Sequence, residues 1–497
     1  MSANEALMVA AISDSFYAQA RVQCGAVLRL RDEQDSPPER LLQAIWQHQR
    51  LLRDRLQTIE GVPVRVLHPG FLNLEGGPDF HSAVVKVGDA PPRTGDVEVD
   101  LRSSGWHAHG HDRNPAFKNV MLHVIWESEH PSPGAPPLML LRQVLDAPLG
   151  ELSLWLGGDA AQSFPEPLRG ACCALLCGLP AGRLQELLRQ AAGVRLRSKA
   201  SQFHARARQV GWDQALWEGL FRALGYKHNV WPMQRLAELR PVWAADLPSP
   251  PDTADASFRL SLQSRLFGLS GLLPAELTPA QVRADGYLRQ VWDHWWRVRD
   301  ALAELILPAG IWRLHGLRPA NHPHRRLALA ADWLLASDLP VRLERWCAGE
   351  LAKRAFPASL LSQLQGKPDE FWSWHWTLRS PRLNKPQPLL GETRVTDLAV
   401  NVVLPWLWAR AEEAGNSRVR EAIEQRYFDW PPAQDNSVLR LARQRLLGGA
   451  ARRVLPTAAA QQGLLQLARD FCDHSNSLCD ACKFPEVVEQ FAAGQAP

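Results

Sequence analysis

Asp96-Val97-Glu98-Val99-Asp100-Leu101-Arg102 alternates polar and apolar residues without a break. Side chains of a strand point to opposite faces in turn, so Val97, Val99 and Leu101 share one face and Asp96, Glu98, Asp100 and Arg102 the other. The same period of two runs through residues 62–67, Phe80 to Val87 and Asn119 to Glu127, with Gly, Pro and Asp clusters between the runs. Leu138 to Val144 adds one more short run after the proline-rich break at Pro131 to Pro137. In front of these strands, Leu41, Leu42, Ile45, Leu52 and Leu56 recur at helical spacing, which predicts a helix over 39–56 with Gln43, Gln47 and Arg50 on its polar face. Beyond residue 180 the helical period dominates, in Leu184 to Phe203, Gln214 to Leu224, Val282 to Leu307, Arg325 to Leu334, Pro340 to Lys353 and Asn436 to Leu447. The expected fold is therefore α+β: an N-terminal mixed sheet with a flanking helix, followed by a mainly α-helical C-terminal region.

Working outward, 497 residues exceed one ordinary core, and the expected parts are a weakly ordered leader (1–36), a β-rich domain (37–160), a helical region (161–250) and a helical C-terminal region (257–497). The Pro- and Asp-rich stretch Ala245 to Ala256 reads as the linker between the two helical parts. Basic and acidic residues nearly balance, 56 against 52, so whole-chain charge identifies no polyanion partner and any basic surface must be local. Twenty Trp against four Tyr predicts indoles mainly in cores, with a minority at ligand surfaces. The N-terminus shows no secretory signal, and no stretch reaches the roughly 18 apolar residues a spanning helix needs. The expectation is a soluble, cytoplasmic protein with reduced thiols, which makes its eight Cys candidates for metal ligation rather than a disulfide scaffold.

The polar face of the quoted strand carries the chemistry. Carboxylates at alternate positions repel one another unless solvent, a cation or basic groups such as Arg102 and Lys86 sit among them. Immediately after it come Trp106-His107-Ala108-His109-Gly110-His111-Asp112, and His123 follows on the next strand; seven of the sixteen His lie between His68 and His130. Imidazole and carboxylate on neighbouring strands and their connecting loop are a ligand set for Zn, Mn or Mg, or a general base with its orienting acid. His68 and His130 read as loop residues, while His123, between Met121 and Ile125, reads equally well as a buried structural histidine. Glu75-Gly76-Gly77-Pro78-Asp79 sets a further carboxylate at the entrance of a strand.

Two other features carry chemistry. Cys472-x6-Cys479-x2-Cys482 has spacing found in zinc and iron–sulfur sites, with a fourth ligand open among His474, Cys347, Cys172, Cys173 and Cys177; unmetallated buried thiols are the alternative. From Arg183 to Arg208 there are seven basic residues and one acidic, and Arg195, Lys199 and Arg206 are the candidates for a phosphate-tracking helix; a solvated face explains the run equally well. Arg318 to Arg326 opens a helix with polar groups at its N-terminus, an anion site or simple capping. Phosphate-binding glycine loops of the P-loop or dinucleotide type and a Gly-x-Ser-x-Gly elbow are absent, which disfavours those chemistries.

Gly-Gly-Pro-Asp79-Phe, Gly-Asp-Val-Glu98-Val-Asp, Ser-Ser-Gly-Trp106-His-Ala-His-Gly-His-Asp and Asn119-Val-Met-Leu-His123-Val resemble the bacterial family designated domain of unknown function 2851. Further blocks at Leu317 to Ala328, Asp397 to Pro405 and Gln462 to Cys472 extend the resemblance from about residue 39 over nearly the whole chain. Pro78-Asp79 and Glu98-Val99-Asp100, with the preceding helix, also resemble the restriction-endonuclease-like PD-(D/E)XK nucleases. That second resemblance implies a divalent metal, Mg or Mn, with Zn as a further candidate, held by Asp79 and Glu98, to which the local imidazoles add His111 and His123. Asp100, His107 and His109 would then assist catalysis on DNA or RNA. This chain departs from the pattern at Asp100, where those nucleases carry Lys; a carboxylate cannot stabilise a hydroxide as an ammonium does, leaving His107, His109 or Lys86 for that role. The alternatives are a binding module for nucleic acid or protein that has lost catalysis, and a metal-dependent hydrolase of another substrate.

Overall fold

Runs of β-branched residues at alternate positions pack well on a pleated surface, and the runs between residues 64 and 140 join a single sheet. The computed structural model describes residues 15–24, 37–73, 77–127, 136–149, 152, 169–226, 228–245, 247, 256–279, 281, 286–314, 317–336, 338–349, 352–366, 368–448, 454–472, 479 and 482–495. The front of the chain contributes α1 (Phe16–Gln23), α2 (Glu39–Gln47), β1 (Val64–His68), β2 (Phe71–Leu72), β3 (Phe80–Val87), β4 (Arg93–Arg102), α3 (Gly105–Ala108), β5 (Val120–Glu127) and β6 (Leu138–Leu140). The strand order is β1-β3-β4-β5-β6, with β2 against β3. β1/β3, β2/β3 and β3/β4 are antiparallel, whereas β4/β5 and β5/β6 are parallel, so the sheet is mixed. A parallel step needs a crossover, and residues 103–119, with α3 and a 3-10 turn at Pro115–Phe117, supply the one from β4 to β5.

Phe80, Ala83, Val97, Val99, Leu122, Val124, Ile125 and Met139 are fully buried in the sheet's core. Each large apolar side chain among them contributes roughly 1.5–3 kcal/mol by leaving water. Helix α2 packs against β4 and buries Leu41, Leu42, Ile45 and Trp46, whose indole N–H donates to Pro69 O at 2.8 Å. It is shorter than the 39–56 spacing predicts. The chain turns out of the helix at His48 and Gln49, the latter with φ of +49°, and then pairs elsewhere: Leu51 bridges Leu145 and Leu52 N–H donates to Val144 O at 2.7 Å. Leu51 and Leu56 are buried from extended or 3-10 backbone, so apolar demand alone imitated the helical period.

The chain divides into two compact units that cut across the expected segments: residues up to 202 with 434 onward, and Phe203–Ala433. In the first unit the C-terminal helices Ser437–Leu447, Ala458–Phe471 and Phe484–Ala493 share a core with helix Cys173–Gly178 and the front of Ala181–Val210, through Leu176, Leu187, Leu188, Leu446, Leu464, Leu467 and Phe484. Part of the expected leader belongs to this core. Helix α1 buries Tyr17, Ala18 and Ala20, and its Arg21 forms a bidentate pair with Asp470 at 2.8 and 3.1 Å. Tyr17 Oη and Gln466 also donate to Asp470, and against its burial Arg21 and then the Tyr17 hydrogen bond hold its carboxyl below the usual range. A satisfied buried ion pair of this kind orders a segment whose composition reads as loose.

The second unit is helical among its described residues, with Trp243, Trp372, Trp406 and Trp430 fully buried. Arg325 is equally buried, and its guanidinium donates to the carbonyls of Trp372, His375, Gln387 and Pro388. The Arg318–Arg326 block is therefore structural: His322 caps helix Pro323–Leu335 and Arg326 donates to Leu389 O at 2.8 Å. Among the described residues no helix is long and apolar enough to cross a membrane. The expected linker lies largely outside the described residues.

Candidate metal centre

Strand alternation sends Glu98 and Asp100 of β4 to the same side, and both are buried, at 6% and 3% exposure. Asp79, at the entrance of β3, meets Glu98 by reciprocal hydrogen bonds: Asp79 N–H donates to Glu98 Oε2 and Val99 N–H donates to Asp79 Oδ2, each at 3.0 Å. From α2, Gln43 Nε2 donates to Asp79 Oδ1 at 2.8 Å and to Glu39 Oε1 at 3.3 Å. Four carboxyl groups from a helix and two strands thus come together. Asp96, the first acid of the alternating strand, is drawn off instead to Ser82 N–H and His81 at 3.2 Å, where a register irregularity interrupts the β3/β4 pairing.

The crossover adds the imidazoles. Gly105 starts α3 directly over Asp100, where a Cβ would stand 3.0–3.1 Å from the carboxyl atoms and the carboxyl would have to give by a few tenths of an ångström. After α3 the left-handed Gly110 (φ +72°) reverses the chain. Asp100, His109 and His111 each offer a ligand atom, and those atoms lie within 4.8 Å of one another. His109 Nδ1 is 3.7 Å from Asp100 Oδ1, and His111 Nδ1 is 3.6 Å from Glu98 Oε1. His111 stacks on Phe117 at 3.9 Å, and its buried Nδ1 has no hydrogen-bond partner. On β5, in register with Glu98, His123 is fully buried; its Nε2 is 2.9 Å from Asp100 Oδ2 and its Nδ1 is without a hydrogen-bond partner.

Electrostatics at this cluster is one-sided. Burial first, then Asp79, pushes Glu98 up to about 9. Burial and then Glu39 push Asp79 up to about 7, against hydrogen bonds from Val99 and Gln43 that lower it. Glu39 is raised by burial and by Asp100. Burial lowers His111, favouring the neutral ring that ligates metal. The basic groups proposed as partners are elsewhere: Arg102 pairs with Glu127 at 3.2 Å, and Lys86 lies opposite Arg65 in the β1/β3 register. Clustered carboxyls raised by burial, beside imidazole nitrogens that lack a hydrogen-bond partner, form a group that could hold a cation. The donor set of carboxylate oxygens and two imidazoles suits Mn or Zn, and the carboxylates alone suit Mg.

The structure brings together Asp79, Glu98, Asp100, His109, His111 and His123. His123 is the outer member, bonded to Asp100 rather than grouped with the other ligand atoms. His107 is left out: two residues before His109 on a helical turn, it points elsewhere and sits 3.4 Å from Asp112. His68 is buried at the end of β1, not in a loop, where Nδ1 accepts from Gly70 N–H and burial lowers it to about 4. Glu75 and His130 lie outside the described residues. Glu39 was not singled out in the sequence; its signal was the i, i+4 spacing to Gln43 on the polar face of the helix.

The basic run on helix Ala181–Val210 is engaged within the protein. Arg195 donates to Gln462 at 2.6 Å, Arg206 pairs with Glu218 through two bonds of 2.6 and 3.0 Å, and Lys199 is not free. Leu187, Leu188, Ala191, Leu196 and Ala200 of the same helix are buried, so its charges flank packing faces, with Arg189 and Arg208 exposed.

The family model described as Protein of unknown function (DUF2851) matches residues 39–436. The chain belongs to this family. The matched span covers α2, the whole sheet with its acidic cluster, and the second unit. No curated protein and no solved structure matches the chain.

Proposed function

We propose that the sheet-bearing unit is a metal-dependent phosphodiesterase, a nuclease-like hydrolase acting on nucleic acid. The observation that carries this reading is the meeting of Glu39, Asp79, Glu98 and Asp100 with His109 and His111 in one cluster, at whose centre Glu98 and Asp100 are buried. The order of elements supports it as well: a helix precedes, Pro78-Asp79 enters one strand, and Glu98-Val99-Asp100 lies on its antiparallel neighbour.

A divalent metal bound here would supply Lewis acidity at a phosphoryl oxygen and a water of lowered pKa. Asp79 and Glu98 would hold it from adjacent strands, with Asp100 and His111 closing the site from the crossover side. His123 orients Asp100 through Oδ2, which leaves Oδ1 turned toward His109. His109 is the exposed member, with 56% of its side chain open to solvent, and is therefore placed to take or give a proton at the mouth of the site. It stands in for the ammonium that Asp100 replaces.

The engaged state of Arg195 and Arg206 removes the basic helix as support for the nucleic-acid part of the reading, and gives weight to a second one: a metal-dependent hydrolase of another substrate. The test is cleavage of single- and double-stranded DNA, RNA and a small chromogenic phosphodiester with Mg, Mn or Zn. The proposal expects metal-dependent turnover that Asp79→Ala, Glu98→Ala and Asp100→Asn each abolish in chains that remain folded. Turnover of the small diester with nucleic acids left intact selects the second reading, and inert substrates under all three metals refute both.

A further inference from the structure

A second cluster of soft ligands lies away from the acidic site, among the helices of the first unit. Helix Ala458–Phe471 ends at Cys472, which is buried, and Cys482 Sγ reaches back to the carbonyl of the adjacent Phe471 at 3.9 Å. Cys479 and Cys482 belong to one turn, closed by Cys482 N–H to Cys479 O at 3.2 Å, with Cys479 at φ +56°, a backbone state unusual for a residue with a side chain. Arg445 joins this turn to a distant part of the chain. Its Nη2 donates to Cys479 Sγ at 3.2 Å, and its carbonyl accepts from Gly170 N–H at 2.8 Å. Two residues after Gly170 stands Cys172, buried in the same core as Cys472, with Cys482 packed against that core.

We propose that Cys172, Cys472, Cys479 and Cys482 together ligate a metal centre through four thiolates, a zinc ion or an iron–sulfur cluster, which ties the C-terminal helices to the 170–178 segment. Cys172 is assigned as the fourth ligand for two reasons. It is buried in one core with Cys472, against which Cys482 packs, and it stands two residues after Gly170, whose N–H is held by the same Arg445 that donates to Cys479 Sγ. The rivals are less well situated: Cys24 flanks that core without being buried in it, Cys173 Sγ lies beside Gly448, and Cys347 belongs to the second unit. His474 lies outside the described residues.

Four neighbouring thiols that carry no disulfide are the chemistry that thiophilic metals select, and each thiol releases its proton on ligation. The role is structural, because the four thiols join the ends of helices Ala458–Phe471 and Phe484–Ala493 to helix Cys173–Gly178 around one shared core. Among the described residues no three of the sulfurs lie within 4.8 Å of one another. A cluster carrying its own sulfides spans such a gap, whereas a zinc ion, with Zn–S bonds of about 2.3 Å, draws the thiolates closer.

The experiment is metal and acid-labile sulfide analysis of the full chain purified without oxygen, with X-ray absorption at the edge of whichever metal is found. The expected result is about one centre per chain with four sulfur neighbours per metal when thiolates and any cluster sulfides are counted together. Zinc without sulfide identifies the single ion; iron with matching sulfide identifies the cluster. Cys172→Ser, Cys472→Ser, Cys479→Ser and Cys482→Ser should each lower the content at least about tenfold. Cys24→Ser, Cys173→Ser, Cys177→Ser and the His109→Ala/His111→Ala pair should leave the sulfur-bound metal unchanged, the last separating this centre from the acidic site. A chain with neither zinc nor iron, a first shell of nitrogen or oxygen, or full metal content in Cys172→Ser overturns the proposal. The absorption measurement on the unmodified chain decides even where a variant does not fold.

Discussion

If the acidic cluster takes a divalent cation, the cation must displace protons, and the number follows from the structure. With Glu98 raised to about 9 and Asp79 to about 7, the metal-free protein at pH 7 holds a proton on nearly every Glu98 and on half of Asp79. Binding that requires both carboxylates therefore releases about one and a half protons per ion at pH 7, rising toward two near pH 5 and falling to about one half at pH 9. His111, already lowered by burial, adds little to this count. Apparent affinity should accordingly rise by roughly one and a half log units per pH unit around neutrality, and flatten above pH 9. Glu98→Gln removes its own proton and leaves Asp79, which burial and Glu39 raise, still half protonated, so release at pH 7 should fall to about one half. Calorimetric titration of Mn into the protein, in two buffers of different ionisation enthalpy, counts these protons directly. A release near zero at pH 7, or one unchanged by Glu98→Gln, would refute the claim that the clustered carboxyls raised by burial form the cation site.

Other outcomes follow from the same geometry. In chelator, the folded protein binds protons at Asp79 and Glu98 more tightly than the unfolded chain does; this stabilisation is complete below about pH 4 and is lost as pH rises through 7 and then 9. Denaturant melts at pH 5, 7 and 9 should show this fall, and saturating Mn should reverse it. Gly105→Ala puts a Cβ against the Asp100 carboxyl, and should weaken Mn binding about tenfold or more while shifting thermal stability little, as read by calorimetry and melting in parallel. Arg21→Ala leaves Asp470 buried beside Tyr17 and Gln466, and should lower the stability of the first unit by about 3–5 kcal/mol in denaturant titration without altering Mn affinity.

Local periodicity carried most of the fold. Phe80–Val87 appears with the bounds its alternation implies, and β4, β5 and helices such as Pro323–Leu335 and Ser437–Leu447 fall within a few residues of theirs. Errors arose where long-range contacts overruled spacing. Leu51 and Leu52 leave the helical path to pair with Leu145 and Val144, and Phe71–Leu72 becomes a strand only because β3 lies beside it. The site was legible as a face, since Glu98 and Asp100 must share one, and as a histidine-rich crossover. Which imidazoles turn inward was not legible, because His107 and His109 differ only by a rotation within one helical turn. The pairing of Cys172 with Cys472 spans most of the chain, and no spacing rule reaches that far.

The central claim is that one cation sits among Asp79, Glu98, Asp100, His109 and His111. A crystal soaked in Mn, with anomalous diffraction collected at its absorption edge, tests it most directly. The account predicts one strong anomalous peak within about 2.0–2.6 Å of a carboxylate oxygen of Asp100 or Glu98 and of a His111 nitrogen. Such a peak confined to other surfaces, with these side chains still hydrogen-bonded only to one another, would contradict it.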